Sequence, residues 1–379
     1  MKLLHTSDWH VGKVLKGQSR VDDQVKALAA VVDVAKAERP DLVIVAGDLY
    51  DTATPTADAT RIVTRALSAL RGAGAEVVAI GGNHDNGQAL DALRSWADAA
   101  GITLRGAVKG AADHLITGRT RDGEEWRLIA LPFLSQRYAV RAGELFDLTA
   151  AEATQTYADH VARLLARLAG GFGADTVNLV TSHLTVIGAM AGGGEREAHT
   201  IMGYAVPATI FPSGTHYVAL GHLHRPQQVP GPCPIRYSGS PLAIDFGDEE
   251  NTPSVSIVEV TATTTAKARE VPITGPTPLR TVRGRLADLE TLDPGDAWLR
   301  VYVAEPPRAG LREEVQALLP RALEVRIDPR LLPDRPERLQ AQRAGRSPGE
   351  LFADYLAQKG HADEATVALF HQLHEEVIQ

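Results

Sequence analysis

Five short apolar runs in this chain each end in polar residues able to bind metal. Leu42-Val43-Ile44-Val45-Ala46, closed by Gly47, reads as a strand buried on both faces, which puts Asp48 at its carboxyl end. Leu3-Leu4-His5-Thr6-Ser7 leads to Asp8-Trp9-His10, and Glu76-Val77-Val78-Ala79-Ile80 runs through Gly81-Gly82 into Asn83-His84-Asp85. Val177-Asn178-Leu179-Val180-Thr181-Ser182 delivers His183, and His216-Tyr217-Val218-Ala219-Leu220 precedes Gly221-His222-Leu223-His224. In open α/β sheets, sites form outside the carboxyl ends of strands, so these five ends can bring their side chains together. A buried ionised carboxylate such as Asp48 must meet a cation, either a side chain or a metal.

Helical patterns separate the runs. Asp22 or Asp23 is expected to cap a helix with Val25, Leu28, Ala29 and Val32 on one face, ended by Pro40. Thr56 starts a second, carrying Ile62, Ala66, Leu67 and Leu70, and Gln88 to Ala100 makes a third. This alternation predicts a largely parallel sheet. A hairpin around Arg121-Asp122-Gly123 signals a second sheet, and a helix from about Thr149 to Leu168 returns the chain to the parallel pattern. Met190 to Met202, with Gly192-Gly193-Gly194, reads as a mobile loop close to the site.

Gly275-Pro276-Thr277-Pro278 makes a natural linker, so the main domain is 1–275. Residues 276–330 then alternate strand and helix as a small α+β domain. Residues 331–347 form an Arg/Pro-rich linker, with a contact to DNA or a partner weighed evenly against simple solvation. The last segment, 348–379, carries two helical patterns. Their apolar set, Leu351, Phe352, Tyr355, Leu356, Val367, Leu369, Phe370 and Leu373, is more than a helical pair can bury by itself, so a partner is expected.

Composition narrows the class only modestly. With 379 residues and 44% hydrophobic content, the chain can bury one large core plus smaller units. No apolar run approaches the roughly 20 residues that span a bilayer, and no signal segment opens the sequence, so a cytoplasmic protein is expected. The single cysteine, Cys233, excludes an internal disulfide and a cysteine zinc cluster. A net charge of −8 argues against a chain coated in nucleic acid but leaves room for a local basic surface.

The candidate ligands are Asp8, His10, Asp48, Asn83, His183, His222 and His224. Oxygen and nitrogen donors without thiolate suit Mn²⁺, Fe²⁺ or Zn²⁺ rather than Ca²⁺, and seven exceed the needs of one ion. Two ions sharing a carboxylate would use them all, and such pairs drive in-line displacement at phosphorus. The expected reaction is phosphoester hydrolysis.

Asp8-x-His10, Gly47-Asp48-x-x-Asp51, Gly82-Asn83-His84-Asp85, His183 and Gly221-His222-x-His224 together resemble the five-motif signature of calcineurin-like metallophosphoesterases. Leu4 to Gly12, Ala46 to Thr52, Ala219 to Arg225 and Tyr237-Ser238-Gly239-Ser240-Pro241 are similar, within that superfamily, to the nuclease subunits of double-strand-break repair complexes. The resemblance implies an α/β fold, a two-sheet α-β-β-α metallophosphoesterase sandwich with a small α+β capping domain and a C-terminal helical pair. It implies Asp8, His10 and His224 on one Mn²⁺, Asn83, His183 and His222 on another, and Asp48 bridging, with Mg²⁺ or Fe²⁺ as substitutes. It places His84 against the scissile phosphate, with Asp85 orienting it. Asp51 departs from the pattern, since archaeal relatives carry histidine there. The implied partners are an ATPase in a heterotetramer, double- and single-stranded DNA, and a second copy of the chain through its nuclease domain, with no membrane.

Two other functions share parts of this reading. A small-molecule phosphodiesterase would use the same metal site but needs neither an added domain nor a helical pair. A regulatory scaffold would have no reason to keep seven ligand positions. Trp9 reads as a packing residue, and His5, His114, His160, His216, His361, His371 and His374 as surface or core residues.

Overall fold

The computed structural model describes residues 1–135, 157–195, 205–331, 348–360 and 363–377. By backbone contacts the chain groups into a large unit, residues 1–303 with 309–326, and a small one, residues 304–308 with 327–379.

In the large unit two six-stranded sheets lie face to face. The first has the order Thr264–Pro272, Ser254–Thr261, Lys2–Thr6, Leu42–Val45, Glu76–Ile80, Ile102–Arg105. Its last four strands are mutually parallel, as the helix-strand alternation predicts, and Lys2–Thr6 pairs antiparallel with Ser254–Thr261. The second runs Gln227–Val229, Ile235–Tyr237, Tyr217–Gly221, Val177–His183, Glu125–Leu131, Leu115–Arg119. The expected hairpin is its Leu115–Arg119 edge, antiparallel to Glu125–Leu131.

Strand alternation sorts the apolar residues into three layers. Leu3, Leu42, Ile44, Ile80, Leu128, Leu179 and Ala219 meet between the sheets. Leu4, Val43, Val45 and Val77 face the helices Val21–Glu38 and Ala57–Gly72, through Leu28, Val31, Val63 and Leu67. On the far side, Ile129, Val180 and Val218 pack against Val161, Leu164 and Leu168 of the Tyr157–Ala169 helix. This is the α-β-β-α sandwich.

Local expectations fare unevenly. Thr56 caps its helix, accepting the Ala59 amide at 3.1 Å. Neither Asp22 nor Asp23 caps the first helix: Arg20 occupies that position, and both aspartates sit in the first turn. Asp23 is drawn there by the Arg20 Nε at 2.7 Å and by the Thr277 amide at 2.9 Å. The Gln88 to Ala100 pattern splits into Gly87–Ala92 and Arg94–Ala99. The expected helix from Thr149 lies outside the described residues up to 156.

Within 276–330, strands Leu279–Gly284, Trp298–Val303 and Ala322–Ile327 form a three-stranded sheet with helices Leu286–Glu290 and Leu311–Leu318. In the small unit, helices Pro348–Gln358 and Glu364–Val377 stack Phe352 on Phe370, with ring centroids 4.2 Å apart. Residues 332–347, most of the expected linker, lie outside the described residues.

Trp9 is fully buried and its indole donates to Thr6 Oγ1 at 3.1 Å, so it packs as expected. His5 is equally buried, between Tyr217 Oη and the Leu220 carbonyl, each 3.1 Å from a ring nitrogen. Burial pushes its pKa down to about 3, against 6.5 for an exposed histidine. Below pH 6.5 the unfolded chain therefore binds a proton that the native fold refuses. His5 thus costs stability as pH falls from 6.5 towards 3, by up to about 1.4 kcal/mol per pH unit. Chemical denaturation of metal-free protein between pH 6.5 and 4 is expected to show that slope reduced by about one proton in His5→Asn. Equal slopes in the two proteins would mean that His5 is not held neutral.

Candidate metal centre

The five strand ends meet at one edge of the sandwich, and several do so through an unusual backbone. Asp8, His10, Asp48 and His222 have φ of 53°, 45°, 51° and 101°, a left-handed region that L-residues rarely occupy. Such conformations cost on the order of 1–3 kcal/mol each and persist only where surrounding contacts over-determine them. Here the Trp9 and His10 amides both donate to the Asp48 carbonyl, at 2.9 and 3.0 Å, and the His222 amide donates to the Asp8 carboxylate at 3.1 Å. Gly47, at φ 96°, and Gly82 let the loops close: a Cβ on Gly47 would strike the His183 ring, and one on Gly82 the Asp48 carboxylate.

All seven sequence-predicted ligands are brought together. Asp48 Oδ2 lies 3.5 Å from His10 Nε2 and 3.4 Å from His183 Nε2. His10 Nε2 and His224 Nε2 face each other at 3.2 Å. Asn83 Oδ1 stands 2.9 Å from both His183 Nε2 and His222 Nδ1. Among the described residues four overlapping groups result, Asp8-His10-His224, His10-Asp48-His84, Asp8-Asp48-His183 and Glu195-His224-Asp248, with the ligand atoms of each within 4.8 Å of one another. Ring nitrogens that converge on each other and on carboxylates, with no thiolate among them, fit divalent cations.

The charges point the same way. Burial raises the Asp8 carboxyl, and neighbouring Asp48 adds to the effect. At Asp48 burial is overcome by His183, His10 and His84, which hold it well below the usual carboxylate range. Burial should depress His183 and His224, but Asp48 lifts the first to about 9 and Asp248 the second to about 10. Protons on these rings balance the carboxylates, and a divalent ion would displace them on binding.

His84 sits at the rim, its ring edge-on to His10 with centroids 4.6 Å apart. Its amide donates to Asp48 Oδ1 at 2.9 Å, and its Nδ1 lies 2.8 Å from the Asp51 carbonyl. Asp85, which the sequence reading sets to orient that ring, engages three backbone amides. Its carboxylate accepts the Leu49, Tyr50 and Gly82 amides at 3.1, 2.9 and 2.8 Å, which clamps two site loops together. Burial and Asp48 raise its pKa to about 6. Asp51 lies 3.4 Å from His10 Nδ1 and 3.3 Å from Lys13 Nζ.

Sequence reasoning missed Asp248 and Glu195. Asp248 Oδ2 is 3.1 Å from His224 Nδ1, and Glu195 Oε1 accepts the His224 amide at 2.9 Å. The Gly192-Gly193-Gly194 run was the available signal. Its described part packs on the Phe246–Asp248 turn so closely that a Cβ on Gly194 would crowd Asp248 and His224. Residues 196–202 of that stretch lie outside the described residues. Cys233 is half-buried, and burial raises its thiol to about 11, which suits a packing residue.

The chain belongs to the calcineurin-like phosphoesterases, the family that matches residues 1–226. A second family, described as the type 5 capsule protein repressor C-terminal domain, matches residues 276–360. Within the phosphoesterases it groups with the SbcD proteins. It is 33% identical over 325 residues to the SbcD chain of the nuclease SbcCD from Bacillus subtilis (strain 168), covering 83% of this chain and 81% of that protein. The SbcD chain from Rhodobacter capsulatus is 34% identical over 296 residues, covering 74% of this chain and 71% of the relative. More distant likeness extends to the solved structure of TT1561 of Thermus thermophilus, with TM-score 0.41, 13% identity, and 72% of this chain and 99% of that one covered. A dimetal phosphatase from Danio rerio gives 0.40 and 11%, again over 72% of this chain and 99% of that one. The family implies divalent metal ions, for which the clusters here are possible ligand sets. Among the described residues, no helix is long and apolar enough to cross a membrane.

Proposed function

We propose that this chain is a metal-dependent DNA phosphodiesterase, with exonuclease and endonuclease action on DNA ends and hairpins, serving DNA repair and recombination in the cytoplasm. The observation that carries the reading is the convergence of ligand groups on Asp48, which takes part in two of the four. Asp8, His10 and His224 would hold one Mn²⁺, Asn83, His183 and His222 the other, and Asp48 would bridge them; Mg²⁺ or Fe²⁺ suit the same donors. When bound, such a pair supplies Lewis acidity at the phosphoryl oxygens and activates water.

The chain's own contribution centres on His84. With Nδ1–H given to the Asp51 carbonyl, the tautomer is fixed and Nε2 is assigned to the reacting oxygen. As the imidazolium it donates a proton to the leaving oxygen, or it stabilises the charge developing on the phosphoryl group. Cleavage of linear, hairpin and supercoiled DNA with Mn²⁺, measured beside bis-p-nitrophenyl phosphate, tests the reading. Hydrolysis of the small diester alone would install a small-molecule phosphodiesterase in its place.

The partner in this reading is an SbcC-type ATPase. Helices Pro348–Gln358 and Glu364–Val377 leave Tyr355, Leu369 and Leu373 about half exposed. Short amphipathic helices draw most of their stability from packing an apolar face, so a groove on the ATPase would complete them. Burying the exposed halves of Tyr355, Leu369 and Leu373 would contribute about 1 kcal/mol each before association costs. Deleting residues after Arg346 is expected to abolish co-purification with SbcC and ATP-dependent processing of duplex DNA, while Mn²⁺-dependent hydrolysis of the small diester survives. Undiminished SbcC binding, or loss of the small-diester activity, would reassign the tail to the packing of the catalytic unit.

A homodimer through the Val21–Glu38 and Ala57–Gly72 helices belongs to the same reading, their shared groove being lined by Val25, Leu28, Val32, Ile62 and Ala66. Light scattering at micromolar concentration should return twice the chain mass, and a monomer would count against it.

A further inference from the structure

We propose that Asp248 is the positioning residue of the metal position served by His224, and that the small three-stranded sheet holds it in place. The inference deepens the proposed function and rests on it. Asp248 is 1% exposed and ends the Phe246–Asp248 turn. Its Oδ2 lies 3.1 Å from His224 Nδ1 and also accepts the amides of Ile244 and Asp245, each at 3.1 Å. With Nδ1 engaged in this way, Nε2 is the atom that His224 presents beside His10. A carboxylate on the far nitrogen of a ligating histidine fixes its tautomer and ring plane and strengthens its donor atom.

Glu195 secures the same residue from the other side. Its two oxygens gather the Gly192, Gly193 and His224 amides at 2.7, 2.7 and 2.9 Å. Gly193 and Gly247 pack backbone against backbone with no room for a side chain on either, so the turn has one seat.

That seat is tied to the small sheet. Thr281 Oγ1, on Leu279–Gly284, donates to Glu249 Oε2 at 2.5 Å and accepts Arg300 Nε at 3.0 Å. Arg300, on Trp298–Val303, reaches the Phe246 carbonyl at 3.4 Å and Glu249 Oε1 at 3.8 Å, and its guanidinium lies 5.2 Å from the Phe246 ring centroid. Phe246 is packed with Leu15 and Leu279. Contacts therefore run from the sheet through Phe246 and Glu249 to Asp248 and His224. The support of His183 lies elsewhere: its Nδ1 is 2.8 Å from the Ala46 carbonyl, at the end of the Leu42–Val45 strand. Displacing the small sheet should accordingly disturb one metal position and spare the other.

Calorimetric Mn²⁺ titration of the full chain tests this, with Co²⁺ absorption reporting ligand geometry. Wild-type protein should show two ions. Asp248→Asn should weaken one by about 10–100-fold, leave the other, and alter the Co²⁺ spectrum. Arg300→Met, remote from the ligands, should weaken the same position to a smaller extent, and it decides the matter by itself should Asp248→Asn not fold. Undiminished affinity in Asp248→Asn, or equal loss at both positions, would overturn the positioning role. Unchanged binding in Arg300→Met would overturn the tie to the sheet. Wild-type protein that bound no Mn²⁺ would instead defeat the proposed function itself.

Discussion

Asp48→Asn is expected to lose both metal positions and to lower phosphodiester cleavage by on the order of 10³-fold or more, which is about 4 kcal/mol of barrier. Asp48 Oδ2 lies within 3.5 Å of His10 and of His183, which belong to different halves of the proposed ligand set. An amide keeps the size of the side chain and can still accept the His84 amide that now bonds Oδ1. It carries no charge, however, and a neutral oxygen cannot offset two divalent ions brought close together. Metal binding and activity should therefore fall together. Calorimetric Mn²⁺ titration alongside turnover of bis-p-nitrophenyl phosphate checks the result. Retention of one tight ion would show that Asp48 serves a single position and does not bridge.

His84→Gln should behave differently, keeping both ions and DNA binding while cleavage falls by about 10²–10⁴-fold, the usual contribution of a positioned proton donor. The Asp48 contact of His84 comes from its backbone amide, which the substitution retains. The lost group is an imidazole whose Nδ1 is tied to the Asp51 carbonyl, so the loss should appear in kcat more than in KM. Single-turnover kinetics at saturating Mn²⁺ would separate the two. A variant that shed a metal ion would make His84 a ligand, consistent with its place beside His10 and Asp48 in one of the clusters.

The parts of the site that could be read from sequence were those governed by strand period and strand end. Asp8, Asp48, Asn83, His183 and His222 each follow an apolar run, and the sheets bring those ends to one edge. The hairpin around Arg121-Asp122-Gly123 signalled a second sheet, but that the two stack face to face came from family resemblance, because a strand buried on both faces has the same pattern in either arrangement. For Asp85, adjacency to His84 suggested a partner, while its amide contacts could not be read from sequence. The bend at Asn83-His84-Asp85 turns the Asp85 carboxylate back to the Leu49 and Tyr50 amides. Asp248 could not be seen at all: it sits on a three-residue turn with no apolar period, 24 positions along the chain from His224, and only folding joins them. The glycines at 192–194 hinted that something approached closely, but not what.

Anomalous diffraction at the manganese edge from Mn²⁺-soaked crystals should show two peaks about 3.5–4 Å apart, one beside Asp8, His10 and His224, the other beside Asn83, His183 and His222, with Asp48 touching both. A single peak, or a second one away from Asp48, would contradict a pair of ions bridged by Asp48.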